Sequence, residues 1–350
     1  MQINIILSKE SRLPSLDFNN IPFGKIFTDH MFTVDFEDGQ WVRPSIEPYG
    51  NISISPALSA IHYGQSLFEG MKAHKHADGS AYLFRPLDNW HRLNVSAERL
   101  CMPTLPKEIF IESLQTLVNI DKEWIPTHKG SALYVRPFMF ATDDCIGVRP
   151  SNNYKFMIIC CPANPFYSRA LRVVAEQHYV RAVEGGEGFA KAAGNYGASM
   201  LPTKLAHDKG FDQIIWLDGR EQKYLEESGT MNLFFVADGK LYTPKLEGTI
   251  LDGYTRASII QLAKDNNIEV VEARISINEL MDWANSGKLT EGFGTGTAAT
   301  VAHFSSFSYN EKEYQLLPID QCVISTKLAK ELNDIKSFKA DDKHGWMWKI

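Results

Sequence analysis

The hydrophobic pattern of the first half predicts two helices followed by strands. Leu and Val recur at helical spacing over 88–100, and Asp88 is a suitable N-cap for that helix. A second amphipathic helix is predicted over 107–120, because its Ile and Leu residues fall on neighbouring faces. The apolar runs 133–140 and 154–161 are typical of strands.

The second half alternates between strand and helix patterns. Strands are predicted over 171–175, 213–217, 232–236 and 240–242, and helices over 197–208, 255–266 and 325–335. Asp238-Gly239 is typical of the turn of a β-hairpin, and Ser276 with Glu279 forms a capping box that begins another helix. Antiparallel hairpins with helices packed outside them indicate an α+β fold.

A break in the pattern near Pro162 and Pro165 divides the chain. Two prolines in four residues disfavour both a helix and a central strand. We place an interdomain linker at 163–171, which predicts a smaller N-terminal domain over 1–162 and a larger C-terminal domain over 172–350. Two domains are the usual expectation for 350 residues.

Composition narrows the class of protein. The chain is 44% hydrophobic and 22% charged, which is typical of a soluble globular protein. A net charge of −6 without a basic run argues against nucleic-acid binding. Its five cysteines form no CxxC pair, which favours a reducing compartment and argues against a structural zinc site. Residues 1–10 make a poor signal peptide and the apolar runs are too short to span a membrane, so we expect a cytoplasmic protein.

Lys191 is the first candidate for chemistry. It lies among the small residues of 190–194, which would let a bulky group approach the backbone, and Tyr196 follows it. A lysine that is removed from water loses proton affinity and becomes a nucleophile. The alternative interpretation is an ordinary loop lysine.

An acidic turn before an apolar strand supplies the second candidate. Glu227 is placed to become a fixed, partly buried acid. A reactive lysine, a phenol and a carboxylate together suit pyridoxal 5′-phosphate (PLP), whose ring nitrogen needs an anionic partner. The alternative is that Glu221, Glu226 and Glu227 form a solvated acidic surface.

Two short turns and one arginine are candidates for binding a phosphate. The segment 251–256 leads into a helix N-terminus, which attracts anions. The segment 292–298 alternates Gly and Thr, which predicts a nest of N–H groups and hydroxyls. Arg92 could add a charge-assisted contact. The alternatives are two ordinary turns and a surface arginine.

Seven groups of residues then occur in a diagnostic order along nearly the whole chain. They are Phe23-Gly24 with 27–31 (FTDHM), 67–73 (LFEGMKA), Arg85-Pro86 with Asn89 and Arg92, 133–137 (LYVRP), 191–197 (KAAGNYG), 227–233 (ESGTMNL) and 294–298 (GTGTA). With these motifs in this order, the chain resembles the branched-chain aminotransferases, which are class IV (fold type IV) PLP enzymes. The resemblance implies an α+β fold with a smaller N-terminal α/β domain. It also implies a larger C-terminal domain whose mostly antiparallel or mixed sheet is surrounded by helices.

The resemblance also implies roles in cofactor binding. Lys191 would be the Schiff-base lysine and the proton shuttle, Glu227 would hold the pyridinium, and Tyr196 would contact the ring hydroxyl. The phosphate ligands would be Arg92, the amides of Tyr254 and Thr255, and Thr297.

Substrate contacts follow from the same resemblance. Thr230 and the Ala298 amide would bind the substrate carboxylate. The residues implied for the side-chain pocket are Phe23, Tyr63, Tyr134 and Arg136. Tyr63, Ile146 and Val148 match positions that family members contribute across a dimer interface, so a homodimer with shared active sites is expected.

The implied activity is transamination of L-leucine, L-isoleucine and L-valine with 2-oxoglutarate, giving L-glutamate, by a ping-pong mechanism. An aromatic and aliphatic pocket fits this substrate class, because burial of each side chain contributes about 1.5–3 kcal/mol. Arg136 and tyrosine hydroxyls would meet the γ-carboxylate of glutamate, whose burial without partners is costly. The alternatives are a D-amino acid aminotransferase, an aminodeoxychorismate lyase, or a non-catalytic PLP-binding protein on the same scaffold.

Overall fold

The computed structural model describes residues 2–350. Met1, which belongs to the predicted first domain and to the segment assessed as a signal peptide, lies outside the described residues. Within 2–350 there are seven α-helices: α1 (Ser59–Tyr63), α2 (Pro86–Arg99), α3 (Lys107–Ile120), α4 (Ala193–Asp208), α5 (Tyr254–Asp265), α6 (Ile277–Asn285) and α7 (Ile324–Lys336). The strands in the same residues are β1 (Asn4–Ile5), β2 (His30–Glu37), β3 (Gln40–Pro48), β4 (Ser66–Phe68), β5 (Met71–Lys75), β6 (Ala81–Phe84), β7 (Ala132–Ala141), β8 (Tyr154–Ala163), β9 (Leu171–Ala175), β10 (Gln213–Leu217), β11 (Leu225–Ser228), β12 (Met231–Ala237), β13 (Lys240–Pro244), β14 (Val270–Ala273), β15 (Leu289–Gly296), β16 (Thr300–Tyr309), β17 (Lys312–Gln315) and β18 (Met347–Lys349).

The chain divides into two compact units. The first unit comprises the described chain up to Phe166 together with Ala190–Gly194 and Lys336–Ile350. Its sheet has the strand order β1-β3-β2-β8-β7-β5-β6-β18, and β4 pairs with β7. Phe110 and Leu114 of α3 are fully buried in a core that also contains Phe32 and Phe156 of the sheet.

The second unit comprises Tyr167–Phe189 and Asn195–Ile335. Its sheet has the order β11-β10-β9-β16-β15-β12-β13-β14, and β17 pairs with β16. The sheet is mixed, because β9 is parallel to both of its neighbours whereas β12 is antiparallel to β13 and β15. Helices combined with these sheets agree with the predicted α+β class.

Two segments that follow the predicted linker belong to the first unit. They are Ala190–Gly194, which contains Lys191, and Lys336–Ile350, which contributes β18. Local pairing explains the second assignment, because Met347 lies opposite Phe84 in the ladder between β18 and β6. Tyr196 and Glu227 belong to the second unit.

Several local predictions are confirmed. The bounds of α3 are those predicted, and Ser276 and Glu279 form both hydrogen bonds of a capping box at α6. Ala237 pairs with Lys240 across a two-residue turn, in which Asp238 and Gly239 have φ values of 48° and 74°. Positive φ at both positions is the geometry for which Asp-Gly is favoured.

The predicted start of α2 is wrong. The helix begins at Pro86, and Arg85 occupies the N-cap with a φ of 53°. Proline is favoured at a first helical position because its ring presets φ and its missing N–H has no intrahelical acceptor. Asp88 instead lies in the first turn, where it accepts a hydrogen bond from Nε of Arg85 at 2.5 Å.

The strand break predicted at Pro162 is also wrong. β8 continues to Ala163, and Pro162 lies opposite Leu133 of β7. Among the described residues, β2 pairs with β8 only as far as Ile158. The proline therefore lies beyond the β2 ladder, where its missing N–H removes no bond to that strand.

Among residues 2–350, no helix combines the length and the apolar character needed to cross a membrane. The same part of the chain contains no group of three or more His, Cys, Asp and Glu side chains that could hold a metal ion.

Candidate active site

Lys191 is held by its backbone within the first unit. Its N–H donates to Oγ of Ser96 at 2.9 Å, and its carbonyl accepts from the Phe68 N–H at 3.1 Å. The next residue, Ala192, forms an antiparallel bridge with Leu67. Nζ of Lys191 lies 4.9 Å from the centroid of the Phe68 ring. The segment that carries the lysine is therefore fixed on two sides, unlike an ordinary loop.

Arg92 is a buried member of an ion pair and not a surface arginine. Its Nε and Nη2 donate to the two carboxylate oxygens of Glu69 at 2.7 and 2.9 Å. Arg92 is 6% exposed and Glu69 is fully buried. Burial alone would raise the pKa of Glu69, but attraction to Arg92 and hydrogen bonds from it keep that pKa below its ordinary value.

Ser96 connects this ion pair to the lysine. Its hydroxyl accepts from the Lys191 N–H and donates to the Arg92 carbonyl, both at 2.9 Å. Ser96 and Arg92 are one turn apart on α2, so this helix holds the lysine segment and the arginine in one arrangement.

Three of the predicted pocket residues are also brought together in the first unit. The rings of Phe23 and Tyr134 meet edge to face at 5.3 Å, and Nη2 of Arg136 donates to the Tyr134 hydroxyl at 3.0 Å. A Cβ atom at Gly70 would lie 2.2 Å from that hydroxyl, so only glycine fits there. Nε of Arg136 is buried and has no hydrogen-bond partner among the described residues, which makes it a candidate donor to a ligand.

Tyr63, Ile146 and Val148 lie at the surface of the same unit. They are 38%, 74% and 89% exposed. Tyr63 ends α1, and the Ser59 N–H at the start of this helix donates to the Asp143 carbonyl at 3.0 Å. Their exposure is compatible with the predicted role in a partner's active site, which stays a prediction.

Glu227 is a fixed, buried acid of the second unit. It is 4% exposed, its Oε1 accepts from the Leu251 N–H at 2.7 Å, and its Oε2 lies 3.4 Å from Nε of Arg181. Glu226 is equally buried, so a solvated acidic surface is the wrong interpretation for both, and only Glu221 is exposed. Because neighbouring strand residues face opposite sides, Glu226 and Glu227 have different surroundings.

The same network reaches the N-terminus of α5. Gly253 is the N-cap, and a Cβ atom there would lie 1.9 Å from Oδ1 of Asn232. The Asn232 amide donates to the Leu251 carbonyl at 2.8 Å, and Asn232 lies opposite Glu227 in the ladder. Segment 251–253 therefore joins Glu227 to the first residues of α5, Tyr254 and Thr255, where a helix favours anions.

The Gly-Thr segment differs from its prediction. β15 extends to Gly296, so 292–296 is strand and only 297–299 forms the turn to β16. The glycines make room for a side chain, since a Cβ atom at Gly294 would lie 2.8 Å from Cε of Met231. Oγ1 of Thr295 is buried without a hydrogen-bond partner among residues 2–350.

Turns at neighbouring strand ends bring Thr230, Thr297 and Ala298 to one end of the second sheet. Thr230 lies in the two-residue loop between β11 and β12, and Asn232 of β12 pairs with Thr295 of β15. Tyr196 lies in the first turn of α4, which begins at Ala193 and not at the predicted 197.

Each unit contains groups that suit a part of PLP. The first unit supplies a fixed lysine and a buried arginine, and the second supplies a buried carboxylate and a helix N-terminus that begins at a glycine. These are the groups that an aldehyde, a ring nitrogen and a phosphate require. Sequence reasoning missed the supporting residues Glu69, Ser96, Arg181 and Asn232, although Glu69 and Asn232 lie inside motifs that it used.

Comparison with known proteins identifies the family. The family model "Amino-transferase class IV" matches residues 66–307. A "Probable branched-chain-amino-acid aminotransferase" of Staphylococcus epidermidis is 46% identical over 343 residues, covering 97% of this chain and 96% of the relative. "Branched-chain-amino-acid transaminase 1" of Bacillus subtilis is 44% identical over 335 residues, covering 94% of both chains.

A solved structure agrees with these relatives. The branched-chain amino acid aminotransferase of T.th., complexed with N-(5′-phosphopyridoxyl)-L-glutamate, has a TM-score of 0.72 and 26% identity, covering 90% of this chain and 97% of the other. The chain therefore belongs to the class IV aminotransferases, which are PLP-dependent enzymes. The resemblance and the α+β fold class predicted from the sequence are confirmed.

Proposed function

We propose that this chain transfers the amino group of L-leucine, L-isoleucine and L-valine to 2-oxoglutarate in a ping-pong reaction. In this order, the branched-chain 2-oxo acid leaves before 2-oxoglutarate enters and L-glutamate forms. The names and high coverage of the relatives support this substrate class. The observation that carries the proposal is the anchored Lys191, joined through Ser96 to the helix of Arg92.

The cofactor-binding roles follow from the donor set. When bound, PLP supplies an electron sink for the bond that breaks at the substrate Cα. Lys191 would hold the cofactor covalently in the resting enzyme and, when released from it, would carry the proton to and from the substrate Cα. Glu227, fixed by the Leu251 N–H and paired with Arg181, would meet the ring nitrogen, and Tyr196 would meet the ring hydroxyl.

We assign phosphate binding to side-chain donors and to backbone N–H donors. Arg92 contributes a charged group, the amides of Tyr254 and Thr255 contribute the N-terminus of α5, and Thr297 contributes its hydroxyl. The site needs no glycine-rich phosphate loop of the NTPase kind, because these donors come from separate segments.

Substrate selection is assigned to the pocket of the first unit. Phe23 and Tyr134 offer aromatic surface to a branched side chain, and Arg136 with the Tyr134 hydroxyl offers donors to the γ-carboxylate of glutamate. Thr230 and the Ala298 amide would hold the carboxylate that both substrates share. The pocket can therefore accept an apolar and an acidic side chain in turn.

A homodimer is part of the proposal. Tyr63, Ile146 and Val148 are large apolar side chains exposed to solvent, and burial against a second copy would remove them from water. In that assembly they would line the side-chain pocket of the partner. Sedimentation analysis should then give twice the chain mass, whereas a stable, active monomer would contradict it.

A cytoplasmic location stays a prediction.

The deciding experiment is an absorbance spectrum of the purified protein. We expect a visible band from bound PLP that bleaches on addition of L-leucine and returns with 2-oxoglutarate. D-Alanine serves as the matched control and should leave the band unchanged. This single titration tests the cofactor, both half-reactions and the substrate class.

Other outcomes would overturn defined parts of the proposal. A band that responds to D-alanine but not to L-leucine would indicate a D-amino acid aminotransferase. A band that responds to no amino donor would indicate a lyase or a non-catalytic PLP-binding protein. A protein that shows no band after incubation with PLP would contradict the assignment of Lys191.

A further inference from the structure

Glu69 is a fully buried carboxylate to which the proposed reaction assigns no step. We propose that Glu69 is a positioning residue that sets the direction of the Arg92 guanidinium and thereby strengthens binding of the PLP phosphate. This inference rests on the proposed function, because it concerns the same cofactor site. Glu69 itself need not touch the cofactor.

The Glu69 carboxylate is held in place by several hydrogen bonds. Besides the two bonds from Arg92, Oε2 accepts from the Asn89 side-chain amide at 2.7 Å and from the Gly70 N–H at 3.2 Å. The backbone N–H of Glu69 donates to the Pro137 carbonyl of β7 at 2.7 Å. Four donors on two oxygens leave the carboxylate little freedom to rotate, so it can serve as a fixed reference for its partner.

The contact with Arg92 transmits that fixed direction. A guanidinium is planar, and two parallel bonds to one carboxylate define its plane as well as its position. Glu69 occupies the edge formed by Nε and Nη2. An oxyanion bound by Arg92 therefore cannot use the edge formed by Nε and Nη2.

Burial explains why an acid is needed at this position. Arg92 is 6% exposed, and a guanidinium removed from water without a counter-ion is costly. The carboxylate also feels the positive charge of Lys191. Glu69 therefore offsets the charge of Arg92 while it orients the guanidinium, and a neutral residue of the same shape would lose the first effect and weaken the second.

The test compares PLP with pyridoxal, which has the same ring and aldehyde but no phosphate. PLP release from the Glu69→Gln holoenzyme would be followed by absorbance during dialysis, and rebinding of PLP and of pyridoxal would then be titrated. We expect PLP release at least about 10-fold faster than in the wild type, and pyridoxal affinity within about twofold. Glu69→Asp, which keeps the charge, should recover part of the loss.

A double variant separates orientation of Arg92 from general support of the fold. If Glu69 acts through Arg92, then Glu69→Gln should add little to PLP release in an Arg92→Lys background. Asn89→Ala removes one donor to Glu69 without changing any charge, and it should speed PLP release by about threefold with pyridoxal affinity unchanged. This milder variant keeps the test open if Glu69→Gln does not fold.

Two outcomes would overturn the inference. One is unchanged PLP release in folded Glu69→Gln or, failing that protein, in Asn89→Ala. The other is equal weakening of PLP and pyridoxal, which would indicate only a structural role. A failure of the proposed function is distinguishable, because the wild-type protein itself would then show no bound PLP or no response to amino donors.

Discussion

The two units prepare for an anionic cofactor in different ways. In the first unit the candidate anion ligand is a charged side chain, Arg92, and it is paired with a buried counter-charge, Glu69, that is itself held by Asn89. In the second unit the candidate ligands are backbone N–H groups at the start of α5, and the main requirement is the missing side chain of Gly253. A side-chain site therefore depends on a network of specific residues, whereas a backbone site depends on space.

Each unit also contains a buried side chain whose pKa is strongly shifted, an acid in the second unit and a lysine in the first. Burial raises the pKa of Glu226 in the second unit to about 7. In the first unit, burial and the positive charges of Lys72 and Arg85 lower the pKa of Lys336 to about 7. These two groups should therefore make stability depend on pH in opposite directions.

The largest effect is expected from the reactive amine of the first unit. Lys191→Ala should lower the rate of transamination by at least about 10³-fold, because it removes the nucleophile and the proton carrier. The rate would be measured with L-leucine and 2-oxoglutarate at saturating PLP. Lys204→Ala, at an exposed lysine on α4, is the matched control and should retain the wild-type rate. A Lys191→Ala protein with undiminished rate would show that the reactive amine lies elsewhere.

The acid of the second unit should give the next largest effect. Glu227→Gln is expected to retain PLP but lose about 10²-fold in rate, because a neutral amide cannot stabilise a protonated ring nitrogen. Its side chain can still accept from the Leu251 N–H, so the fold should be preserved. Glu226→Gln, at the neighbouring position on the other side of β11, should keep its rate within about twofold. Equal loss in both variants would contradict the special role of Glu227.

A substitution at Gly253 tests the backbone site directly. Gly253→Ala places a Cβ atom 1.9 Å from Oδ1 of Asn232, so either the Asn232 side chain or the start of α5 must shift. We expect PLP affinity to fall about 10-fold, as measured by titration of the PLP-depleted protein. Gly50→Ala is the control, because its nearest neighbour would lie 3.9 Å away. Unchanged affinity in Gly253→Ala would mean that the phosphate is bound chiefly by side chains, as in the first unit.

The contrast between the units also explains what sequence could predict. Lys191, Glu227 and the start of α5 could be proposed as site residues from the sequence, because the chemistry of each lies in a short local motif. Glu69 was missed as a partner because its ion pair with Arg92 spans 23 positions and exists only once α2 packs on the sheet. The start of α2 was missed because Arg85 adopts a left-handed conformation that a nearby acid, Asp88, does not reveal. The chemistry of a short motif can thus be predicted from the sequence, whereas a counter-charge supplied by tertiary packing cannot.

The buried acid of the second unit should make stability depend on pH. The pKa of Glu226 is about 7, above its ordinary value of 4.5, so the folded protein holds a proton that the unfolded chain has released. Stability is therefore lost as the pH rises from about 4.5 to about 7, and Glu226→Gln should recover up to about 3 kcal/mol at pH 8. Urea unfolding at pH 5 and pH 8 would measure this gain, which should be small at pH 5. Exposed Glu221→Gln is the control, and an equal gain at both pH values would contradict the titration of Glu226.

The smallest effect is expected from Lys336 in the first unit, with the opposite sign. Its pKa of about 7 is below the ordinary 10.5, so the unfolded chain holds more protons between these values, and stability rises with pH through that window. Lys336→Met should therefore stabilise the protein by about 1 kcal/mol at pH 6 and by less at pH 9, because loss of the contact between Nζ and the Phe84 ring offsets part of the gain. The same unfolding experiment measures it, with exposed Lys339→Met as the control. If Lys336→Met and Glu226→Gln gained stability in the same pH range, the opposite pH dependence assigned to these two groups would be wrong.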